Sequence, residues 1–522
     1  MPEAISTLEQ QRDALQTQLD SHKTQAQRNQ LGQFATPISL AQDILKYAAT
    51  LVPAGEKLHF FDPAIGTGAF YSALRSTFPG AQIADAAGFE IDPHYGEPAA
   101  NLWRESGLVI RQADFTQAQA SPHFNLVICN PPYVRHHHLK NGDKDRLQRR
   151  TEKASGIRMS GLAGLYCHFL GLSHEWMTEG GLAGWLIPSE FMDVNYGQSV
   201  KRYLLEKVTL QHIHRFDPNE VQFADALVSS AIVWFRKALP PPDHQVKFTF
   251  GGTLFQPKLS REVPASALAR ESKWTRFPAA DIRVNDAMPT LADYFQIKRG
   301  LATGDNGYFI LAEADIQQHG IPAELLTPIL PGPRYLTQDE VTADQAGNPL
   351  VEPRLFLLDI RLPEAEVERR YPTAYTYLQV GKAKKLHERY LCCHRAPWYA
   401  QENRPPAPIV CTYIGRSDAK NGRPFRFILN NSRATVANVY LAMYPKPRLA
   451  NAIANDPTLI RRVWSLLNAI GPDALLAEGR VYGGGLHKLE PRELCNVPVP
   501  TIAALLNPTE VRAIQNRLIA YS

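Results

Sequence analysis

Four residues that follow an apolar segment have the chemistry to activate an amine. The run Asn130-Pro131-Pro132-Tyr133 comes directly after Phe124–Cys129, and two prolines force the chain out of a central strand as a rigid turn. The side-chain oxygen of Asn130 and the carbonyl of Pro131 can both accept hydrogen bonds from one exocyclic amine. Two such bonds localise the nitrogen lone pair, and Tyr133 offers a ring for stacking a base. A strand exit with a packed tyrosine explains the same residues without chemistry.

A glycine-rich turn lies upstream of this run. Residues 62–70 read Asp-Pro-Ala-Ile-Gly-Thr-Gly-Ala-Phe and lead from a candidate strand into a candidate helix. Glycine allows the backbone to approach a ligand at the carboxyl end of the first strand, where open α/β sheets bind cofactors. The spacing GxGxF differs from the GxGxxG of dinucleotide sites, so this turn alone is weak evidence for a ligand.

Two acidic residues follow the next two candidate strands. Glu90 comes 22 residues after Gly68, where a βαβ unit places a carboxylate that accepts hydrogen bonds from ribose hydroxyls. Asp114 could accept a hydrogen bond from an adenine amino group, and Phe115 could cover the ring. Taken singly, Glu90 and Asp114 fit surface or capping acids equally well. In series at three successive strand ends, these residues predict an adenosine pocket.

The elements that must position these residues alternate between strands and helices. Such alternation predicts parallel βαβ units and a doubly wound α/β sheet. The candidate strands are Leu58–Phe61, Ala86–Ile91, Leu108–Ile110, Phe124–Cys129, Leu182–Ile187, His212–Phe216 and Ser229–Phe235. The candidate helices are Ser39–Ala49, Gly68–Thr77, Gly164–Met177 and Tyr196–Glu206. Beyond residue 240 short strands such as Val246–Phe250 mix with helices such as Thr509–Tyr521, which predicts an irregular α+β region.

The length of 522 residues and the charge distribution predict two main domains. Residues 1–30 have apolar positions at helical spacing and form a predicted leader helix. The run Leu239-Pro240-Pro241-Pro242-Asp243 is the clearest linker, so we divide the rest into residues 31–240 and 241–522. The first 240 residues carry a net charge of −2 and the remainder +7. The stretch 135–158 is a local exception, with eight basic residues, and a solvated loop is its simplest explanation.

Several protein classes do not fit the sequence. We expect no secretory signal, because the first residues lack a basic and an apolar region. The longest apolar stretches are too short to cross a bilayer, so we expect no membrane partner. The six cysteines include no CxxC pair, and three adjacent histidines (136–138) cannot all reach one ion, so we expect no metal. These features predict a cytoplasmic protein in a reducing compartment.

The motifs together resemble the γ-class, TaqI-like N6-adenine DNA methyltransferases of type II restriction–modification systems. That class has the motif order found here: Gly32–Pro37, Asp62–Phe70, Glu90, Asp114-Phe115 and Asn130–Tyr133, with the target-recognition region last. The resemblance extends over about residues 31–500. It implies a class I S-adenosylmethionine-dependent methyltransferase sheet in residues 31–240, followed by an α+β target-recognition domain in residues 241–522.

The resemblance also implies the roles of individual residues. The predicted catalytic residues are Asn130, Pro131, Pro132 and Tyr133. The predicted residues for S-adenosylmethionine are Phe34, Thr36, Pro37, Asp62, Pro63, Ala64, Gly66, Gly68, Glu90, Ile91, Asp114, Phe115 and Asn130. Tyr133 and Phe223 would sandwich the target base. The residues expected to contact DNA are Arg135, Lys140, Arg146 and Arg149 from the basic stretch, and Lys298, Arg299, Thr303, His487 and Lys488 from the C-terminal region.

The implied activity is methyl transfer from S-adenosylmethionine to N6 of an adenine extruded from double-stranded DNA. The resemblance implies a monomer on DNA, with a cognate restriction endonuclease acting separately on the same site. Three alternatives stay open. An N4-cytosine enzyme would use the same acceptors, and a methyltransferase for RNA or protein glutamine can carry the same four residues. A non-catalytic DNA-binding subunit of this fold is the third, although it has no need of Asp62, Glu90 and Asn130–Tyr133.

Overall fold

The computed structural model describes residues 2–139, 141–217, 229–278, 288–416, 423–482 and 486–506. The chain divides into two compact units. The first contains Met1–Ile282 with the short piece Tyr482–Gly484, and the second contains Arg283–Val481 and Gly485–Ser522. No helix among the described residues is long and apolar enough to cross a membrane.

The first unit is organised around a nine-stranded sheet. Its strands are β1 Leu58–Asp62, β2 Ile83–Glu90, β3 Leu108–Gln112, β4 Phe124–Cys129, β5 Met177–Pro188, β6 Thr209–Arg215, β7 Ser230–Arg236, β8 Gln245–Gly252 and β9 Pro257–Pro264. Its helices are α1 Pro2–Ser21, α2 Gln25–Leu31, α3 Ile38–Leu51, α4 Ala69–Thr77, α5 Pro93–Trp103, α6 Asn141–Ser155, α7 Leu165–Leu172, α8 Gly197–Glu206 and α9 Ala265–Arg270. The strand order is β3-β2-β1-β4-β5-β7-β6-β8-β9.

The half of the sheet from β3 to β5 is parallel. The chain moves outward from β1 through β2 to β3 and then returns to place β4 on the other side of β1. A reversal of this kind opens a crevice at the carboxyl ends of the central strands, where ligands bind in open α/β sheets. Strand β7 is antiparallel to both β5 and β6. The predicted doubly wound class I methyltransferase sheet is therefore confirmed.

The sheet is buried on both faces because helices cover each side. Adjacent side chains of a strand point to opposite faces, and β1 shows this directly. Phe60 packs with residues of α3 and α4 on one face. Phe61 packs on the other face with a large cluster that includes residues of α6 and α7. There it stacks on Phe124, with ring centroids 4.6 Å apart. Both faces of β1 thus carry buried apolar side chains, which fits the mainly apolar sequence of this strand.

Several boundaries differ from the expectations. The sheet continues past the prolines at 240–242 into β8 and β9, and the compact units divide near residue 282 instead of 240. The prolines lie in the exposed connection between β7 and β8, where they interrupt the chain without ending the domain. The leader is two helices, α1 and α2, and the basic stretch 135–158 forms helix α6 instead of a loop. The helix expected at Gly164–Met177 ends at Leu172, because Met177 already begins β5.

The second unit contains three smaller sheets, with strand orders β10-β18-β15-β17-β13, β11-β14-β12 and β16-β20-β19. The strands are β10 Phe295–Arg299, β11 Ile310–Ala312, β12 Leu326–Ile329, β13 Glu340–Val341, β14 Leu355–Leu358, β15 Ile409–Thr412, β16 Ile414–Arg416, β17 Phe427–Asn430, β18 Tyr440–Pro445, β19 Arg480–Tyr482 and β20 Leu486–Lys488. The helices are α10 Leu291–Tyr294, α11 Asn306–Phe309, α12 Glu313–His319, α13 Glu364–Arg370, α14 Pro372–Ala383, α15 Tyr390–Cys393, α16 Pro447–Asn455, α17 Leu459–Asn468, α18 Pro472–Glu478, α19 Pro491–Cys495 and α20 Pro500–Leu506. The helix expected at Thr509–Tyr521 lies outside the described residues. Mixed α+β architecture was the expectation for this region.

Candidate functional site

A cavity of about 740 Å³ lies at the carboxyl ends of the central parallel strands. Ligand sites in proteins commonly have volumes of about 300–1,000 Å³. Nine of the thirteen residues predicted for cofactor binding line it: Phe34, Pro63, Ala64, Gly66, Glu90, Ile91, Asp114, Phe115 and Asn130. Motifs far apart in the sequence therefore meet in one place. Thr36, Pro37, Asp62 and Gly68 do not line the cavity, but Thr36 and Asp62 form hydrogen bonds with Asn130 and Ala64, which do.

The glycine turn is held by its own strand and by α5. Gly66 and Gly68 have φ values of +54° and +90°, which favour glycine. A Cβ atom on Gly68 would lie 2.5 Å from the indole nitrogen of Trp103, which donates a hydrogen bond to the carbonyl of Thr67 at 2.8 Å. The Asp62 carboxylate accepts from the backbone N–H of Ala64 at 3.0 Å. Asp62 and Gly68 thus shape the turn without lining the cavity.

Glu90 spans the turn and the start of α5. Its carboxylate accepts from the backbone N–H of Gly66 at 3.2 Å and from that of Asp92 at 2.8 Å. Burial raises the pKa of Glu90 to about 6. Burial also raises the pKa of Asp62 to about 7, opposed by the hydrogen bonds from Ala64 and from the Cys129 thiol. Two carboxyl groups with raised pKa values therefore lie at the carboxyl ends of β1 and β2, and a cationic or hydroxyl-bearing ligand would favour their ionised forms.

Asp114 caps the short 3₁₀ turn Phe115–Gln117 while lining the cavity. One of its carboxylate oxygens accepts from the backbone N–H and the hydroxyl of Thr116, at 2.8 and 2.7 Å. The other accepts from the Gln117 side-chain amide at 2.8 Å. Asp114 is thus a capping residue, as one interpretation of the sequence expects, and it also lies in the cavity wall. Phe115 is 3% exposed and packs on Phe61, Phe89 and Phe169 beneath that wall.

Asn130 presents an acceptor and uses both of its donors. Its side-chain nitrogen donates to the carbonyl of Phe34 and to the hydroxyl oxygen of Thr36, each at 3.1 Å. Because a carbonyl only accepts, the Phe34 bond fixes which end of the amide is nitrogen. The side-chain oxygen of Asn130 is buried and has no hydrogen-bond partner among the residues that the structure describes. Buried polar atoms without partners are rare, and they mark candidate functional positions.

The segment Gly32–Phe34 packs directly on the turn that follows Asn130. The backbone N–H of Tyr133 donates to the carbonyl of Gly32 at 3.3 Å, and the rings of Phe34 and Tyr133 lie 5.6 Å apart. A Cβ atom on Gly32, whose φ is +65°, would lie 2.5 Å from the nitrogen of Tyr133. The Tyr133 hydroxyl donates to the carbonyl of Leu186 at 3.1 Å, which fixes the ring. Burial raises the pKa of Tyr133, so its hydroxyl stays neutral.

The remaining predicted catalytic residues complete this turn. Pro132 lines the cavity, and Pro131 is buried beside it. Pro37 precedes α3 as its N-cap, and Thr36 is buried under Asn130. Phe223, predicted to stack on the base opposite Tyr133, lies outside the described residues.

Sequence reasoning missed the leader helix as part of this site. Gln16 and Asp20 of α1 line the cavity. The Arg12 guanidinium is 2% exposed and donates to Thr67 of the glycine turn at 3.1 Å. The Thr67 hydroxyl in turn donates to Gln16 at 2.6 Å, and the Tyr95 hydroxyl donates to Asp20 at 2.8 Å. The polar residues of α1 were the available signal, because a helix that only covers apolar surface needs no buried arginine.

The basic helix α6 divides between the cavity wall and the surface. Arg146 lines the cavity and donates to the carbonyl and hydroxyl oxygens of Thr116, each at 3.2 Å. Its side chain is thus hydrogen-bonded within the first unit, and contact with DNA stays a prediction. Arg135 and Arg149 are exposed. Lys140 lies outside the described residues.

The DNA-contact residues predicted in the second unit also divide. Lys298 is exposed on β10, and the neighbouring Arg299 lies over the Tyr413 ring at 4.2 Å. Thr303 is 1% exposed and donates to Asn306 at 2.7 Å, so it holds the turn before α11 instead of facing solvent. His487 is 6% exposed, and Lys488 pairs with Glu490 at 2.8 Å.

The boundary near residue 282 sharpens the charge distribution. Residues 1–282 contain 28 basic and 28 acidic residues, whereas residues 283–522 contain 28 basic and 23 acidic residues. The net charge of +5 therefore belongs entirely to the second part of the chain.

Two family models and several known proteins are similar to this chain. Residues 91–222 match the family described as Eco57I restriction-modification methylase, and residues 275–520 match the C-terminal domain of type II methyltransferase M.Eco57I. Type II methyltransferase M.XamI of Xanthomonas campestris pv. amaranthicola is 28% identical over 485 residues, covering 91% of this chain and 86% of that protein. M.AccI of Acinetobacter calcoaceticus is 26% identical over 487 residues, covering 90% and 85%.

These matches extend over both units and include the segment that carries Asn130–Tyr133. The chain is therefore a member of the type II restriction–modification DNA methyltransferases.

Proposed function

We propose that this protein transfers a methyl group from S-adenosylmethionine to N6 of an adenine in double-stranded DNA. The observation that carries the proposal is the buried side-chain oxygen of Asn130. Within the described part of the chain this oxygen has no hydrogen-bond partner, whereas the amide nitrogen donates to Phe34 and Thr36. The amide is thereby oriented so that only its acceptor is available. An exocyclic amine placed against the Asn130 oxygen would donate a hydrogen bond to it and gain electron density at nitrogen.

The cavity residues fit S-adenosylmethionine. When bound, this cofactor supplies an electrophilic methyl group on a sulfonium. Glu90 has lone pairs in the cavity wall for ribose hydroxyls, and its raised pKa shows that water solvates it poorly. Ile91, 65% exposed beside it, offers an apolar surface for the adenine ring. The turn of Gly66 leaves open space where any side chain would project.

The protein's own contribution to catalysis is positioning and hydrogen bonding. The bonds to Phe34 and Thr36 hold Asn130 before any substrate arrives, so no reorganisation is needed at the moment of transfer. Tyr133 is fixed by its hydroxyl bond to Leu186, which pre-orders a ring for the extruded base. Stacking on such a ring is worth about 1–3 kcal/mol, which offsets much of the cost of unstacking the base.

The decisive experiment identifies the product. The protein is incubated with isotopically labelled S-adenosylmethionine and mixed-sequence duplex DNA, and the digested nucleosides are analysed by mass spectrometry. We expect label in N6-methyl-2′-deoxyadenosine. Label in N4-methyl-2′-deoxycytidine would replace adenine by cytosine as the target. No label in DNA, with label in RNA or protein offered in parallel incubations, would refute the DNA substrate. Sequencing the methylated sites then yields the recognition sequence.

Variants test the role of Asn130 itself. Asn130→Ala should lower the rate of methyl transfer by about 10²–10³, the effect of losing one preorganised hydrogen-bonding group. Duplex binding should change little. Asn125→Ala is a matched control, because Asn125 lies on the same strand and bonds Glu56 and the carbonyl of Lys57 away from the cavity. Equal loss of activity in both variants would assign Asn130 a structural role.

A further inference from the structure

Three metal-ligating side chains meet at the edge of the sheet opposite the cavity. His59 lies at the start of β1, Asp85 near the start of β2, and His123 immediately before β4. The Nδ1 atom of His59 and the Nε2 atom of His123 lie 2.9 and 2.8 Å from the same oxygen of Asp85. The cavity residues follow the other ends of these strands, so this cluster takes no part in the site described above.

Strand register explains why the three side chains converge. His59 and Asp85 are direct partners in the parallel pair β1–β2, just after an irregularity in register at Leu58. Partners in register project to the same face of a sheet. Strand β4 flanks β1 on its other side, which brings His123 against the same carboxylate. Three adjacent strands thus each contribute one ligand from their amino ends.

We propose that His59, Asp85 and His123 form a binding site for a zinc-like divalent ion. The ligand atoms of the three residues all lie within 4.8 Å of one another. Two imidazole nitrogens and one carboxylate oxygen suit Zn²⁺, whereas Mg²⁺ and Ca²⁺ prefer sites made of oxygen atoms. Three protein ligands leave a fourth tetrahedral position for water.

The present distances require only a small adjustment. Ligands at about 2.1 Å from a tetrahedral ion are separated from one another by about 3.4 Å. The two nitrogen–oxygen distances of 2.9 and 2.8 Å must therefore open by about half an ångström each. All three side chains are partly exposed, at 32%, 44% and 49%, so they have room to move. The second Asp85 oxygen, which has no hydrogen-bond partner in the described ranges, offers an alternative ligand atom.

A bound ion would act structurally by joining β1, β2 and β4. These strands also carry the glycine turn, Glu90 and Asn130 at their far ends. An ion at their amino ends would restrain the strands that position the cavity residues without touching the cavity. The sequence predicts no metal, because the three ligands are separated by 26 and 38 residues and form no recognised spacing.

The test uses Zn²⁺ alone with the full chain. His136–His138 form a second histidine cluster, so His136, His137 and His138 are all replaced by alanine in the background protein for these binding measurements. Isothermal titration is expected to show one Zn²⁺ per chain. Chemical modification of histidines, read by mass spectrometry, should show His59 and His123 protected by Zn²⁺.

Two variants locate the ion. Asp85→Asn and the exposed His123→Ala should each lower Zn²⁺ affinity by at least about tenfold, since removing even supporting residues of metal sites has effects of 10–100-fold. Glu56→Gln, which changes a neighbouring carboxylate that bonds Asn125, should leave the affinity within about twofold. Absence of stoichiometric binding, equal affinity in all variants, or unprotected His59 and His123 would overturn the proposal and leave a hydrogen-bonded cluster. Thermal unfolding of each variant verifies that it is folded.

Discussion

Binding of S-adenosylmethionine should release protons in an amount that depends on pH. Burial raises the pKa of Glu90 to about 6 and that of Asp62 to about 7. In the proposed complex, ribose hydroxyls that donate to Glu90 and a positively charged cofactor in the cavity would favour the carboxylate forms. Each group that is protonated in the free protein and ionised in the complex gives up its proton on binding.

The expected numbers follow from the two pKa values. Glu90 is about half protonated at pH 6 and about one tenth protonated at pH 7, while Asp62 is about nine tenths protonated at pH 6 and half protonated at pH 7. If both are ionised in the complex, about 1.4 protons are released at pH 6, about 0.6 at pH 7 and about 0.1 at pH 8. The affinity for the cofactor should therefore fall as pH decreases below 7, because low pH protonates the two carboxylates that are ionised in the complex.

Isothermal titration in buffers of different ionisation enthalpy measures these protons directly. The α-amino group of the cofactor also titrates, near pH 7.7–8.0, but it contributes equally to every variant and cancels in differences. The number of protons released by the wild type, minus the number released by Glu90→Gln, should therefore fall with rising pH around a midpoint near pH 6. The same difference for Asp62→Asn should have its midpoint near pH 7. The exposed Glu97 provides a control, since Glu97→Gln should match the wild type. Two flat difference curves, or two curves with one common midpoint, would refute the assignment of these protons.

Three further variants test other parts of the site. Gly32→Ala should abolish cofactor binding, because its Cβ would lie 2.5 Å from a backbone nitrogen of the catalytic turn; Gly55→Ala, with φ of +78° in open space, is the control and should bind normally. Arg12→Ala removes the buried bond to Thr67 and should weaken cofactor binding by about 1–3 kcal/mol in titration; unchanged affinity would make α1 a passive cover. Arg149→Gln should weaken DNA binding alike on all sequences and reduce the slope of log K against log salt by about one. An unchanged slope would mean that Arg149 is a solvated surface residue that does not contact DNA.

The central strands were predictable because their residues are apolar on both faces. Phe124–Cys129 and Leu58–Phe61 are apolar except at Asn125 and His59, and such mainly apolar segments fit strands that are covered on both sides. The glycine turn and the double proline mark chain reversals through their own backbone restrictions, whatever surrounds them. The cavity lining was largely predictable for the same reason, since strand ends that share a sheet edge bring their next residues together.

Features that depend on distant pairing were not predictable. The prolines at 240–242 have the composition of a linker, yet β8 pairs with β6 beyond them and extends the sheet. Nothing local in residues 245–252 distinguishes an added edge strand from a strand of another domain. Arg146 belongs to a basic stretch that suggests DNA contact. Its hydrogen bond to Thr116, 30 residues earlier in the chain, could not be read from that stretch.

The sequence by itself determined the sheet class, the order of its motifs and the residues at the strand ends, because apolar periodicity and the backbone limits of glycine and proline act locally. Only the tertiary structure decided that α1 completes the cavity, that Asn130 presents its oxygen, and that His59, Asp85 and His123 meet. Each of these depends on side chains far apart in the chain, whose approach is set by strand register and helix packing instead of by neighbouring residues.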